Sequence, residues 1–304
     1  MSILLAIQGA ASQGVLWGIM TLGLYITYKV LDFADLTVDG SFALGGAVTA
    51  TLLVNGVNPI LSLLAAFVAG GIAGIVTGLL HTKLQIPGIL AGILTMTALY
   101  SINIRIMGQA NTPLLGVDTL MTQFEVLFNM SRTMSSLITG TIFSVVIIAA
   151  LYWFFGTEIG CSIRATGNNS RMVRAQGVNT DNMKIIGLML SNALVSLSGA
   201  LVAQSQGYAD VGMGTGTIVI GLASVIIGEV IFGKRFAFWY ILLSVVFGSI
   251  IYRIIIAVVL QMGLKSTDLK LLTAIVVAAA LALPVIKAKF AKKKQFVPQE
   301  AKNA

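Results

Sequence analysis

Runs of about 20 apolar residues recur along this chain of 304, and they leave few alternatives for its fold. A stretch of that length with few charges crosses a bilayer as a helix, because a helix pairs every backbone N–H and C=O within the segment. From the N-terminus, helices are expected at about 9–28, about 42–55, from Pro59 to Leu80, and at about 87–107, 134–155, 183–205, 216–232, 236–260 and 270–286. Pro59 and Pro87 open their helices, where a missing N–H costs least. The expected fold is an all-α integral membrane protein with about nine transmembrane helices, some broken or re-entrant. The second run in particular is short enough for a re-entrant half-helix. Residues 1–286 read as a single transmembrane domain, with a short amphipathic helix inside the 108–133 loop, and 287–304 as a basic cytoplasmic tail.

Composition excludes the other classes. Hydrophobic residues make up 57% of the chain and charged ones only 10%, far from a soluble globular protein. The opening MSILLAIQGAASQG has no basic n-region and no A-x-A-like cleavage site, so it reads as the start of the first helix rather than a signal peptide. Cys161 stands alone and cannot build a disulfide framework or a cysteine metal site. His81, the one histidine, reads as an exposed residue of a short loop. The net charge of +8 does not imply a nucleic-acid partner, since no soluble basic domain exists to bind one. Paired carboxylates, a nucleophile with its base and a metal cluster are all missing from the sequence pattern, so no enzyme is expected. Gly228 to Lys234 matches G-x-x-x-x-G-K, yet Arg235 stands where a phosphate loop needs Ser or Thr, and a membrane helix precedes it instead of a strand. Glu229, Lys234 and Arg235 read instead as a charged helix end.

Basic residues set the orientation, because Lys and Arg accumulate in cytoplasmic loops. With the tail inside, alternation puts fourteen of the nineteen Lys and Arg inside, including Lys29, Lys83, Lys184 and six tail lysines. Arg105, Arg132, Arg253, Lys265 and Lys270 fall outside, and Arg253 is expected to snorkel to the outer interface. The N-terminus is then external, and the 156–184 loop cytoplasmic.

Two segments resemble each other weakly without gaps: ADLTVDGSFALGGA from Ala34 and ADVGMGTGTIVIGL from Ala209. They fall on opposite sides of the expected topology, the mark of an inverted repeat in which interrupted helices line a central path. Asp35, Asp39, Asn192, Asp210, Gly212, Gly214 and Gly216 are the candidate path residues. Asp32, Asp35 and Asp39 are costly in lipid, and either face a water-filled cavity or lie at the cytoplasmic interface. Asn103, Ser191, Ser196 and Ser198 are read as interhelical hydrogen-bonding residues or path lining, and Gly70, Gly74 and Gly78 as a small-residue packing stripe.

The most polar stretch between two helices is GTEIGCSIRATGNNSRMVRAQGVNTDNMK, 156–184. Asn168, Asn169 and Ser170 are good N-caps, RMVRAQ follows without a breaker, and Gly177 is placed to end a short helix that shows Arg171 and Arg174 on one face. Two turns are unstable alone, so the helix needs a partner surface. This loop resembles the cytoplasmic coupling loop of permease subunits of bacterial ABC importers of the branched-chain amino acid and ribose class. The following SNALVSLSGALVAQSQGYADVGMGTGTIVIGLASVIIGE looks like the aromatic amino acid, tryptophan-type variety. The resemblance covers nearly the whole chain. It implies a multi-pass protein of the bacterial cell membrane that works with two ATP-binding subunits, an external substrate-binding protein and a second permease subunit, most simply another copy. ATP and Mg²⁺ would sit on the ATPase, leaving no cofactor in this chain. By the same resemblance Arg164, Ala165, Gly167, Asn168, Arg171, Arg174 and Gly177 lie at the ATPase interface. The alternative function is an ion-coupled secondary transporter acting alone.

Overall fold

A computed structural model describes residues 3–233 and 237–262, together with 268, 271, 273–278 and 282. Its helices are α1 (Ile3–Tyr25), α2 (Thr37–Val54), α3 (Pro59–Thr82), α4 (Gly88–Met107), α5 (Leu120–Phe128), α6 (Arg132–Gly156), α7 (Glu158–Ala175), α8 (Thr180–Gln206), α9 (Thr217–Phe232) and α10 (Phe238–Gln261). A π-helical turn, Ile26–Val30, prolongs α1, and a 3-10 turn, Val211–Gly214, leads into α9. Strands β1 (Asn111–Pro113) and β2 (Tyr208–Asp210) pair antiparallel with Asn111 opposite Asp210.

Seven of the described helical segments are long and apolar enough to cross a membrane: α2, α3, α4, α6, α8, α10, and α9 with the turn before it. This is a multi-pass membrane protein. The 23-residue α1 carries Gln8, Ser12 and Gln13 within its apolar run. The expected ninth helix, about 270–286, lies largely outside the described residues, as do Lys234, Arg235 and the 287–304 tail.

Local chemistry explains the helix starts. Pro59 is the first residue of α3, and the Asn58 side chain before it accepts from the Ile60 N–H at 2.9 Å. The 108–133 loop does hold a helix, α5, opened by a capping box between Thr119 and Thr122. His81 lies in the last turn of α3 rather than in the loop, with Nδ1 2.9 Å from the Ile86 carbonyl oxygen.

The bundle is built around α8, which is buried along most of its length, whereas α4 and α6 turn large aliphatic and aromatic faces outward. Small residues bring its neighbours close. A Cβ on Gly70 would overlap Ser196 and the Asn192 carbonyl, and one on Gly74 would overlap the Leu188 carbonyl, so the glycine stripe of α3 is a packing surface. On the other side of the core, Gly14 and Gly18 of α1 face Ile250 and Val246 of α10. The helix serines donate across these contacts: Ser191 to the Gly23 carbonyl (2.7 Å), Ser198 to that of Leu16 (2.8 Å) and Ser196 to that of Ala66 (2.6 Å). They are interhelical bonds, the plainer of the two readings. Asn103 likewise is buried and donates to the Gly40 carbonyl at 3.4 Å.

Two stretches of irregular backbone enter this bundle. The 31–36 connection packs against the first turns of α4, where Gly88 meets Phe33 and Gly92 meets Leu36. The 211–216 connection descends from β2 at the other end along α2, with Met213 against Gly46.

The packing yields a direct test. Gly71, one residue from the stripe, has open room: the nearest atom to a Cβ would be Met189 Cγ at 3.6 Å. Gly74→Ala is therefore expected to cost about 1–3 kcal/mol through overpacking, while Gly71→Ala is neutral or slightly stabilising. Thermal melting of the two purified variants, followed by gel filtration, distinguishes these outcomes.

Candidate translocation and coupling sites

The two irregular stretches meet at Asp39, in the first turn of α2. Its Oδ2 accepts from the Gly216 N–H at 2.9 Å, and its Oδ1 accepts from the Thr217 hydroxyl at 2.7 Å and the Ile218 N–H at 3.0 Å. These are donors at the start of α9, which the helix cannot satisfy itself and which carry its positive dipole end. Gly216 takes φ +84°, a conformation that favours glycine, and Gly214 is buried where a Cβ would overlap the Asp39 carbonyl. Both candidate glycines thus serve one junction. Thr217 and the Ile218 backbone belong to it as well, although their types gave no signal in the sequence.

Asp35 begins the same stretch and is 3% exposed. Its Oδ1 accepts from the Thr37 N–H at 2.9 Å, and its Oδ2 from Asn192 Nδ2 at 2.7 Å. Asn192, the midpoint of α8, also accepts from the Ser41 hydroxyl at 2.7 Å and donates to the Leu188 carbonyl. Thr37 and Thr77 bond hydroxyl to hydroxyl at 2.7 Å. Of the three aspartates Asp32 is exposed, Asp35 is buried and Asp39 is half-buried.

Asp210, the residue aligned with Asp35, makes the same local turn: its Oδ1 accepts from the Gly212 N–H two residues on, at 2.7 Å. Its Oδ2 is 3.4 Å from Asn111 Nδ2 across the β1–β2 pair. Gly212 is exposed at that end of the bundle.

The 156–184 stretch is not mainly loop. Residues Glu158–Ala175 form α7, which Thr157 caps by accepting from the Gly160 N–H at 3.3 Å, and Thr180–Lys184 already belong to α8. Ile159 and Ile163 lie one turn apart, and buried Ile163 anchors this first half, a contact no capping pattern announces. At Asn169 the backbone leaves the helix (φ −156°, ψ 89°), and the Asn169 side chain accepts from the Met172 N–H at 3.1 Å. The expected short helix is therefore the second half of α7, restarted by its own N-cap and ended at Gly177.

The seven candidate coupling residues divide by environment. Gly167 faces inward, where a Cβ would overlap the Val30 carbonyl, and thereby fixes α7 to the π-helical turn. Arg164 lies over the Phe238 ring at 5.0 Å. With Lys29, Asp32, Ala165 and Asn168 it lines a cavity of about 760 Å³. Arg171 lines a second cavity, of about 520 Å³, with His81 and Lys184. Arg174 is exposed yet tied back to α8: its Nη2 donates to the Thr180 hydroxyl at 2.8 Å and stands 3.5 Å from Asp181. Gly177 is exposed. Glu229, at the end of α9, pairs with Lys29 at 3.2 Å, and the G-x-x-x-x-G-K segment runs out of helix, with Gly228–Phe232 inside α9.

The family profile described as "Branched-chain amino acid transport system / permease component" matches residues 6–286. A protein of Clostridioides difficile named as a tyrosine transport system permease protein is 44% identical over 271 residues, covering 89% of this chain and 88% of its own length. The ribose import permease protein RbsC of Escherichia coli K12 is 30% identical over 168 residues, about half of each chain. Among solved structures, an inward-facing putative metal-chelate type ABC transporter aligns over 93% of this chain and 85% of its own, with a TM-score of 0.51 at 14% identity. PsaBC from Streptococcus pneumoniae aligns over 92% and 91%, also with a TM-score of 0.51, at 16% identity. The last two share the fold with this chain. From residue 6 to residue 286, this chain belongs to the branched-chain amino acid transport system permease family, a family of transport permeases rather than enzymes, and is a membrane permease of the ABC importer type.

Proposed function

We propose that this permease passes an aromatic amino acid from an external binding protein into the cytoplasm, paired with a second copy of itself and driven by two ATPase subunits. The observation that carries the substrate class is the 44% identity, along nearly the full length of both chains, to a relative named for tyrosine transport. The positive-inside count puts the α7 end and the C-terminus in the cytoplasm. Support for an inverted repeat comes from the matching turns at Asp35 and Asp210, and from the two glycine-rich pairings, α3 with α8 and α1 with α10. In this reading the Asp39 junction, with Asp35 and Asn192 beside it, holds the interrupted segments that border the path. Arg164, Ala165, Asn168, Arg171 and Arg174 of α7, with Gly177 just after it, form the ATPase-facing surface in this reading, and Gly167 sets its angle.

Arg171 is the sharpest probe of docking, because it has no ion-pair partner among the described residues. Arg171→Glu is expected to reduce co-purification of the ATPase at least about tenfold, the effect of turning a rim attraction into repulsion, with membrane insertion unchanged. Reversing Arg174 as well should complete the loss, and retained assembly in the double variant would refute the docking role.

Asp39→Ala strands the donors of Gly216 and Ile218 and should destabilise the protein by about 1–3 kcal/mol. Asp39→Asn, which keeps an acceptor, should recover part of that in a thermal melt. Function is checked by radiolabelled L-tyrosine uptake into proteoliposomes containing the whole complex. Uptake should require ATP and the binding protein, and uptake by this chain alone on an ion gradient would overturn the importer mechanism.

A further inference from the structure

At the half of the bundle away from α7, α1 and α10 hold a cationic group, Arg253, with no ion-pair partner among the described residues. Arg253 lies 15 residues beyond Phe238, about 22 Å along α10 from the α7 contact. Its guanidinium does not snorkel outward but sits over the Trp17 ring, 3.9 Å from the centroid. The close approach of Gly14 and Gly18 to Ile250 and Val246, with the Ser249 hydroxyl donating to the Gly14 carbonyl at 2.9 Å, holds the two helices in this register. Trp17 is 6% exposed and its ring also meets Phe42 of α2 at 4.9 Å.

Arg253 Nε, Trp17 Nε1 and Gln13 Oε1 are buried without a hydrogen-bond partner, as is the hydroxyl of Tyr252 next to Arg253 on α10. Gln13 and Trp17 are four apart on α1 and therefore share a face. The Lys29–Glu229 and Arg174–Asp181 ion pairs lie at the other end of the molecule. A guanidinium cannot shed its proton, and one held inside a membrane bundle without a counter-anion is costly. Indole N–H and guanidinium are donors only and call for an anion, whereas the Gln13 amide oxygen calls for a donor. One small molecule supplying both is a zwitterion.

We propose that Gln13, Trp17 and Arg253 form a binding subsite for the transported amino acid, with its carboxylate on Arg253 and the Trp17 N–H and its ammonium group towards Gln13. The subsite rests on the reading of the chain as an amino acid permease, and it places that recognition in the external half of the membrane, ahead of the Asp39 junction.

Trp17 reports on it directly. Replacing the two other tryptophans, Trp153→Phe and Trp239→Phe, leaves it as the single indole in the full chain, purified with its ATPase in phosphate-free dodecyl maltoside micelles. 3-Phenylpropionate should change its emission saturably and phenethylamine should not, while Arg253→Gln should weaken the response about tenfold or more and Arg253→Lys less. In proteoliposomes with the binding protein, Arg253→Gln should likewise cut L-tyrosine uptake about tenfold or more, with ATPase co-purification unchanged. Equal responses of Arg253→Gln and the parent, no response to the carboxylate, or a response only to added phosphatidylglycerol would overturn the subsite, the last by making a lipid phosphate the anion. A Trp17 response that depends on Arg253, in a complex that does not import L-tyrosine, would support the anion site and refute the tyrosine reading instead.

Discussion

A helix that starts inside a bundle exposes N–H groups that neither water nor the helix itself can satisfy, and the Asp39 carboxylate answers that problem for α9. The rest of the core arrangement depends on it. Asp39 is in α2, so the bond joins two segments 177 residues apart and sets where the 211–216 connection stops descending. Leaving a buried donor unmade costs about 1–3 kcal/mol, more than the roughly 0.5–1.5 kcal/mol that a made bond contributes, so the junction matters chiefly for what it prevents. The same logic governs the start of α2, where Asp35 and Asn192 occupy each other's hydrogen-bonding groups at the midpoint of α8.

Close helix approach makes room for these breaks. Without a hydrophobic drive between helices in lipid, association relies on packing and interhelical hydrogen bonds. Gly70 and Gly74 on α3, Gly14 and Gly18 on α1, and the serine hydroxyls at 191, 196 and 198 provide both. Several close contacts run from a missing Cβ to a neighbour's backbone, which cannot move aside as a side chain would, so the stripe tolerates little change.

Charge is handled differently at the two ends. At the α7 end, three cations are balanced or stacked, Lys29 on Glu229, Arg174 on Asp181 and Thr180, and Arg164 on Phe238, while Arg171 has no ion-pair partner among the described residues. Away from it, Arg253 has an aromatic face and a buried Nε without a partner. In the proposed reading the α7 end is a coupling surface that must hold a fixed shape, whereas a path for a charged solute must keep its hydrogen-bonding capacity open until cargo arrives.

Much of this was legible in the sequence. Apolar run length gives the membrane helices because the bilayer imposes one length on every span. The starts at Pro59 and Thr119, and the restart of α7 at Asn169, follow from caps, which are interactions over two or three residues. The weak repeat pointed to Asp35 and Asp210, and both make the turn that an aspartate makes with its own backbone. Tertiary structure alone decided that Asp39 caps α9, that Gly167 faces inward, that Ile163 is buried in the core, and that Arg253 turns onto Trp17. Each of these joins residues far apart in the chain, and no local pattern encodes which distant surface a side chain will meet once the helices pack.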